Sequence, residues 1–294
     1  MVALGCAARR QGAEGEDPGA PTVSPADKHY DVAVGSFHNG MFEDARRNLD
    51  RALAVDPKHA DSHYLQGVLM LNEGKTIVDA LESERCLEDA SAQLQRERAD
   101  QLHRQAAKAF EQAADHYPEG AAGRGRARNS LAVIDLFFHD DDAAIEHAES
   151  ALGEQFYTDR YSALANLGWA YYHKGDLIRA TTELRQSVLI NGDYCVGRYR
   201  LAQVYLDSGL PEQALEQAQQ VVEDQRCPIQ DAHRIIGAAM LRLGKADDAQ
   251  SAFQTCVSLA PRSCLATDCA RFIEAEGAAV AHAPIPAVPP PGGG

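Results

Sequence analysis

The sequence predicts an all-α fold: an α-solenoid of about six two-helix repeats, closed by a C-terminal capping helix and carrying a helical insertion in repeat two. Three observations predict it. First, residues 166–191, NLGWAYYHKGDLIRATTELRQSVLIN, read as two amphipathic helices joined at HKGD, residues 173–176. Small residues stand where the two must touch, Gly168 on the first and Ala180 and Ser187 on the second, with Leu167, Tyr171 and Leu184 around them. Small against large lets two backbones approach closely. Second, the pattern recurs. Leu167, Gly168, Tyr171, Ala180 and Leu184 are matched 34 residues later by Leu201, Ala202, Tyr205, Ala214 and Ala218. A lone helical hairpin cannot bury its apolar face, whereas a stack of them can. Third, the chain is 45% hydrophobic but only 6% aromatic, which suits a thin, continuous core.

The elements follow in order. Residues 1–25 hold the string MVALGC and then a run rich in Gly, Pro, Ala and acids, which predicts a disordered tether. The solenoid is expected over residues 26–276. Repeat one, about 26–59, has Ala45, Leu49, Ala52 and Pro57 in its second half, and Ser36 where its first helix would carry a large residue. Repeat two begins near Ala60 with Leu65, Gly67, Leu69 and Met70, and its turn is expected at Asn72, Glu73 and Gly74. Its second-helix marks arrive late, as Ala106, Phe110, Ala113 and Pro118. The closing proline would fall at position 91 in frame, so Pro118 stands 27 residues late. The surplus, about residues 75–101, is charged and helix-favouring, with Leu81, Leu87, Leu94 and Leu102 at an approximate seven-residue spacing. It predicts a helical extension of the second hairpin, either a spacer packed on the solenoid or a docking arm.

Repeat three covers about 125–158, after a break at GAAG, residues 120–123, with Leu131, Ala132, Ala144 and Ala151 as a weaker copy of the marks. Repeats four, five and six cover about 161–194, 195–228 and 230–263, the last marked by Ile236, Gly237, Met240, Ala249 and Phe253. Residues 264–276 form a final amphipathic helix, because a terminal repeat must show water a polar outer face. Residues 277–294 predict a disordered Pro- and Gly-rich tail.

Composition excludes several functions. The formal net charge is −15, and no basic stripe for nucleic acid stands out. The acidity suits solubility, or steering towards a basic partner. No apolar run is long enough to span a bilayer. No GxSxG, P-loop or paired carboxylates in a fixed cleft appear, so an enzyme is not expected and no cofactor is called for. His59 and His63 stand four apart, a metal-capable spacing. No third ligand is obvious beyond Asp61, so no metal is expected. Asp140, Asp141 and Asp142 read as a helix cap, not a calcium loop.

Seven cysteines are many for a reducing compartment, and they cluster late in the chain. Cys195 opens the first helix of repeat five and Cys227 follows its second. In an antiparallel hairpin those ends are neighbours, which makes the two a candidate disulfide. Cys256 faces the cap and Cys269 lies on it, a second candidate. Each bridge would add about 2–3 kcal/mol. The alternative is buried thiols packing as small apolar residues. Cys264 competes as a partner for either pair, and Cys86 has no evident mate.

The recurring marks resemble the tetratricopeptide-repeat family over roughly residues 26–276. In that family the first helix of each repeat lines a concave groove. The resemblance places Tyr30, Val34, Phe37, Tyr64, Val68, Leu71, Val133 and Phe137 in the groove of repeats one to three. Such an apolar strip suits burial by a partner segment. A frame shifted by one residue would make these core positions instead. The later equivalents are mixed: Trp169, Tyr172, His173, Tyr199, Gln203, Arg234 and Arg242. The basic carboxylate clamp of chaperone-binding members is unmatched, since Tyr30 and Val34 stand where Lys and Asn would sit.

VALGC, residues 2–6, resembles a bacterial lipobox, which implies cleavage before Cys6 and acylation of its sulfur and new amino group. The alternative is a chance cysteine in the tether. Only five residues precede Cys6, so the sequence is expected to begin inside its signal peptide. Ala7 after it implies the outer membrane by the sorting rule of such lipoproteins. Together with NLGWAYYHKGD at 166–176, CVGRYRLA at 195–202 and RCP at 226–228, the chain resembles the PilF/Tgl-type pilotins, the myxobacterial ones in particular. That resemblance implies a lipoprotein on the periplasmic face of the outer membrane, a monomer or a transient complex. It would bind monomers of the type IV pilus secretin in its groove and promote their assembly into a stable multimer. The alternative is a cytoplasmic tetratricopeptide-repeat adaptor for an unrelated peptide.

Overall fold

The computed structural model describes residues 24–84, 86, 90–224, 226, 227 and 229–278. The predicted lipid-carrying Cys6, most of the tether and nearly all of the tail lie outside them. Among the described residues thirteen helices follow one another, with no strand. They come in pairs: α1 (Pro25–His38) with α2 (Phe42–Val55), α3 (Ala60–Glu84) with α4 (Ala90–His116), and α5 (Ala122–Phe137) with α6 (Asp141–Gly153). Next are α7 (Arg160–His173) with α8 (Leu177–Ile190), α9 (Cys195–Asp207) with α10 (Pro211–Glu223), and α11 (Ile229–Arg242) with α12 (Ala246–Leu259). The unpaired α13 (Cys264–Ala278) closes the stack.

Local chemistry sets the helix ends. The Ser24 hydroxyl accepts from the Asp27 amide and the Asp27 carboxylate accepts from the Ser24 amide, with Pro25 opening α1. Asp140 and Asp176 cap α6 and α8, accepting from the amides of Ala143 and Arg179 at 3.1 and 3.0 Å. Between α7 and α8 the chain turns through Gly175 at φ +77°, a conformation that costs most residues energy. At the corresponding place before α6, His139 takes φ +57° instead.

In three of the pairs close approach depends on a glycine. A Cβ on Gly168 would stand 2.7 Å from Leu184 Cγ and 3.1 Å from the Ala180 carbonyl oxygen. Gly67 lies against the Phe110 ring and Gly237 against the Phe253 ring in the same way. Ala132 and Ala202, at the equivalent positions, are fully buried. The result is a row of small cores, one under each pair, that merge along the stack. On the last of these α13 lays Phe272, whose ring stacks on Phe253 at 4.7 Å.

The pairs also form two layers. From α1 to α13 each odd-numbered helix touches the odd-numbered helix before and after it. Among the described residues no even-numbered helix touches another. The odd helices are therefore the inner layer of a curved stack, and their inward side chains make its concave face.

Two expectations need correction. The turn placed at Asn72, Glu73 and Gly74 does not exist: α3 runs through all three. Gly74 is a point of close approach, where a Cβ would stand 2.9 Å from the His103 ring on α4. Glu73 accepts from Arg98 on α4 at 2.8 Å and pairs with Arg46 on α2, so the helix is braced where it was expected to break. The surplus residues lengthen both helices, to 25 and 27 residues against 13 to 16 in the other pairs. The second correction concerns Cys86. Its sulfur lies at bonding distance from that of Cys264, the first residue of α13, with 4.6 Å between the Cα atoms. A partner 178 residues away cannot be read from repeat spacing.

Candidate protein-binding face

The concave face has two halves of different chemistry. In the first, Tyr30, Val34, Phe37 and Val68 pack against Ala33, Ala45, Leu49, Leu65 and Leu69. Tyr64, Val68 and Leu71 pack against Ala106, Phe110, Leu131 and Ile134. The Phe137 ring lies 4.0 Å from the ring of the buried His103. These seven are half-buried: one flank seals the joint between helix pairs and the other reaches solvent. Val133, on α5, is the exposed member, with 38% of its surface open. The structure thus brings the eight expected groove residues to one layer, while most of their carbon already serves the joints.

Polar groups in this half are partly tied up: Asp27 contacts His59, and Asp61 accepts from the Tyr117 hydroxyl. The Arg126 guanidinium lies 5.8 Å from the Tyr64 ring centre. Burial raises the hydroxyls of Tyr30 and Tyr64 above the usual phenol range, so both stay neutral hydrogen-bonding groups. A surface of half-buried rings and branched carbon suits an apolar or amphipathic polypeptide segment.

The second half is a polar ladder across α5, α7, α9 and α11. Asn166 donates to Asn129 at 2.9 Å, and Asn129 donates to Ser162 at 3.1 Å. Arg200 donates to Asn166 at 2.9 Å and to the Ala165 carbonyl at 3.1 Å, and lies 5.2 Å from the Trp169 ring centre. Trp169 stacks on Tyr172 at 4.6 Å. The Tyr172 hydroxyl and the Gln203 amide both donate to Asp207, at 2.7 and 2.6 Å. Arg234 donates to Gln203 at 2.8 Å and to Asp231 at 3.1 Å, while Arg242 stands 3.7 Å from Asp207. Asn166, Gln203 and Arg234 are buried, so these bonds are made away from water. Burial first, and then the bond to Asp207, push the Tyr172 hydroxyl up. The ladder's acceptors are largely filled from within, so this half fixes the curvature of the layer and the first half offers the free carbon.

Sequence reading named Trp169, Tyr172, Gln203, Arg234 and Arg242 but missed Asn129, Asn166 and Arg200 as their partners. A signal was present: Asn166, Arg200 and Arg234 stand 34 residues apart, which puts them on one face of successive inner helices.

The histidines and cysteines hold one another or the chain. His59 contacts Asp27 at 2.9 Å and Ser62 at 2.8 Å through its two ring nitrogens, and His63 contacts the Pro57 carbonyl at 2.9 Å. Cys195 and Cys227 lie at bonding distance with Cα atoms 5.4 Å apart, and Cys256 and Cys269 likewise at 6.3 Å, within the span of a disulfide. Cys195, Asp224 and Cys227 are the one cluster of metal-capable atoms among the described residues. Two of the three are taken by each other, and Arg226 clamps the third through both carboxylate oxygens. Among the described residues no helix is long and apolar enough to cross a membrane.

Stacked helix pairs with an inner layer and a concave face define a helical-repeat scaffold, the kind of fold that serves protein interaction. The chain matches the tetratricopeptide repeat-like domain family over residues 90–263 and the tetratricopeptide repeat family over 37–94, and it belongs to the tetratricopeptide-repeat family. No curated protein matches it. Among solved structures it is similar to PilW, a widely conserved type IV pilus biogenesis factor, with TM-score 0.64 and 14% identity over 83% of this chain and 97% of that one. It is similar also to PilF of Pseudomonas aeruginosa, with TM-score 0.59 and 17% identity over 85% and 97%. The Cut9–Hcn1 hetero-tetramer of the APC/C matches at TM-score 0.62 and 14% identity, over 85% of this chain and 42% of that one. At such identities the likeness is one of fold.

Proposed function

We propose that the protein is a lipid-anchored pilotin on the periplasmic side of the outer membrane, which binds monomers of the type IV pilus secretin on the apolar half of its concave face and promotes their assembly. It carries out no reaction and uses no cofactor. The observation that carries this reading is the cysteine pairing. Of seven cysteines, six stand in three pairs at bonding distance, and the odd one by count is Cys6 in the string VALGC. Three cystines fit an oxidising compartment, and a lone lipobox cysteine fits acylation. Near full-length likeness to PilW and PilF supports the type of partner. The half-buried strip gives the mechanism. It lends apolar cover to a segment of the unassembled subunit and loses that segment when neighbouring subunits bury it instead.

The test has two arms. Palmitate labelling that depends on Cys6, in cells expressing the full reading frame, separates this protein from a cytoplasmic adaptor. Val133→Asp puts a charge on the exposed edge of the strip, and Ile178→Asp puts one on the outer layer, where Ile178 is 82% exposed. Secretin multimer should fall with the first variant and hold with the second. Wild-type multimer with folded, correctly placed Val133→Asp would reject the strip as the binding surface.

A further inference from the structure

The α3–α4 hairpin does more than lengthen one repeat. Its surplus of about ten residues per helix projects it roughly 15 Å beyond the neighbouring pairs. The projection is packed: Ala92 and Ala99 are buried, His103 is wedged between Gly74 and the Phe137 ring, and Glu73 ties α3 to both α2 and α4. Its tip meets the far end of the stack. α3 touches α13, and Cys86 is joined to Cys264 there. Glu82, one turn before Cys86, stays solvent-exposed, yet desolvation and then the nearby carboxylates of Asp79 and Asp231 raise its own carboxyl. Asp231 lies on the inner helix α11, and α13, which α3 touches, belongs to the same layer, so the end of α3 reaches the inner layer at the far end of the stack. Cys86 itself takes φ +41°, a backbone state rare for a residue with a side chain, which persists where the surroundings hold it. α13 is in turn joined to α12 through Cys269 and Cys256. A closed ring of packed inner helices therefore runs from α3 through α5, α7, α9 and α11 to α13, and from α13 back to α3.

We infer that the α3–α4 hairpin is a clasp over the concave face, locked by a Cys86–Cys264 disulfide, and that it retains a bound polypeptide segment by encircling it. The kind of partner follows: a segment with a free end that can slide lengthwise, or a loop seated before the clasp closes. Closure moves two electrons and two protons from the Cys86 and Cys264 thiols to a disulfide-bearing oxidoreductase, which leaves as a dithiol; opening is the reverse, driven by a dithiol. The inference rests on the reading above in two respects, the oxidising compartment and the occupied face.

The experiment is peptide mapping of protein taken from cells without reduction, followed by release of purified secretin monomer from immobilised full-length protein. The variants are Cys86→Ser with Cys264→Ser, and as a second pair Cys86→Ala with Cys264→Ala in case the hydroxyls disturb folding. Linked Cys86 and Cys264 peptides are expected, with release from either double variant faster by about tenfold or more and far-UV circular dichroism unchanged. Cys195–Cys227 and Cys256–Cys269 linked without Cys86–Cys264 would overturn the clasp and leave the pilotin reading standing. No linked peptides at all would overturn the oxidising compartment and the clasp with it. Equal release rates with the link present would overturn retention, and no capture of secretin by any form would overturn the occupied face.

Discussion

Gly168→Ala tests how the helix pairs are held. Gly168 lies inside α7, so adding a methyl group improves intrinsic helix propensity by about 1 kcal/mol. The structure opposes that gain. The new Cβ would stand 2.7 Å from Leu184 Cγ, 3.1 Å from the Ala180 carbonyl oxygen and 3.2 Å from the Leu184 amide nitrogen. A side-chain tip can swing away, but two of the three contacts are backbone of α8, and Leu184 and Ala180 are fully buried. The helices must therefore separate, at an overpacking cost of about 1–3 kcal/mol. The net expectation is a loss of up to about 2 kcal/mol, or a fall of up to roughly 4 °C in the melting midpoint for a chain of this size. Gly35→Ala is the matched control. Gly35 is also inside a helix, is exposed, and has nothing within 4 Å of its Cβ position. It should gain up to about 1 kcal/mol by propensity alone. Urea unfolding followed by far-UV circular dichroism reads both. If Gly168→Ala proved as stable as Gly35→Ala, close helix approach would not be what the small positions provide.

Three further outcomes are expected. A bond between the neighbouring sulfurs of Cys256 and Cys269 would close 13 residues and be worth about 3 kcal/mol, so Cys256→Ala with Cys269→Ala should speed hydrogen exchange in α12 and α13 while α7 and α8 stay protected. Arg200→Ala leaves the buried Asn166 and the Ala165 carbonyl without their donor, at about 1–3 kcal/mol, and should shift the emission of Trp169, the chain's single tryptophan. His147 bonds to Asp135 at 2.6 Å, which first among several causes raises its pKa above the usual 6.5. Its stabilisation is therefore full below pH 6.5 and fades as pH climbs through the raised value. Asp135→Asn should lower the unfolding midpoint most at pH 6 and close to nothing well above the raised pKa, with the NMR titration of His147 moving down towards 6.5.

The repeats were legible because packing repeats itself in sequence. Gly168, Ala202 and Gly237 stand at the closest approach of their pairs, and each is small for the same reason. Gly175 was legible as a turn because His173, Lys174 and Asp176 around it are polar and break the apolar period. Gly74 looked the same and was not a turn. Its neighbours Asn72 and Glu73 are polar because Glu73 bonds across to Arg98 and Arg46, a contact made only once α4 is long enough to reach back. The Cys86 pairing was illegible for a related reason. It joins an insertion, which has no place in the repeat frame, to the cap, which ends it. The eight groove residues were placed on the right helices by period, but period does not say how much of each ring the neighbouring pair covers.

The two layers have a mechanical consequence. Each outer helix packs both on its own partner and on the next inner helix, while outer helices do not touch one another, so successive pairs share broad joints that leave the outer rim open. In a stack of this kind a small adjustment at each joint adds up along its length and alters the distance between the two ends. A bond between Cys86 and Cys264, whose sulfurs lie at bonding distance, would hold that distance constant, because it would fasten α3, near one end, to α13 at the other.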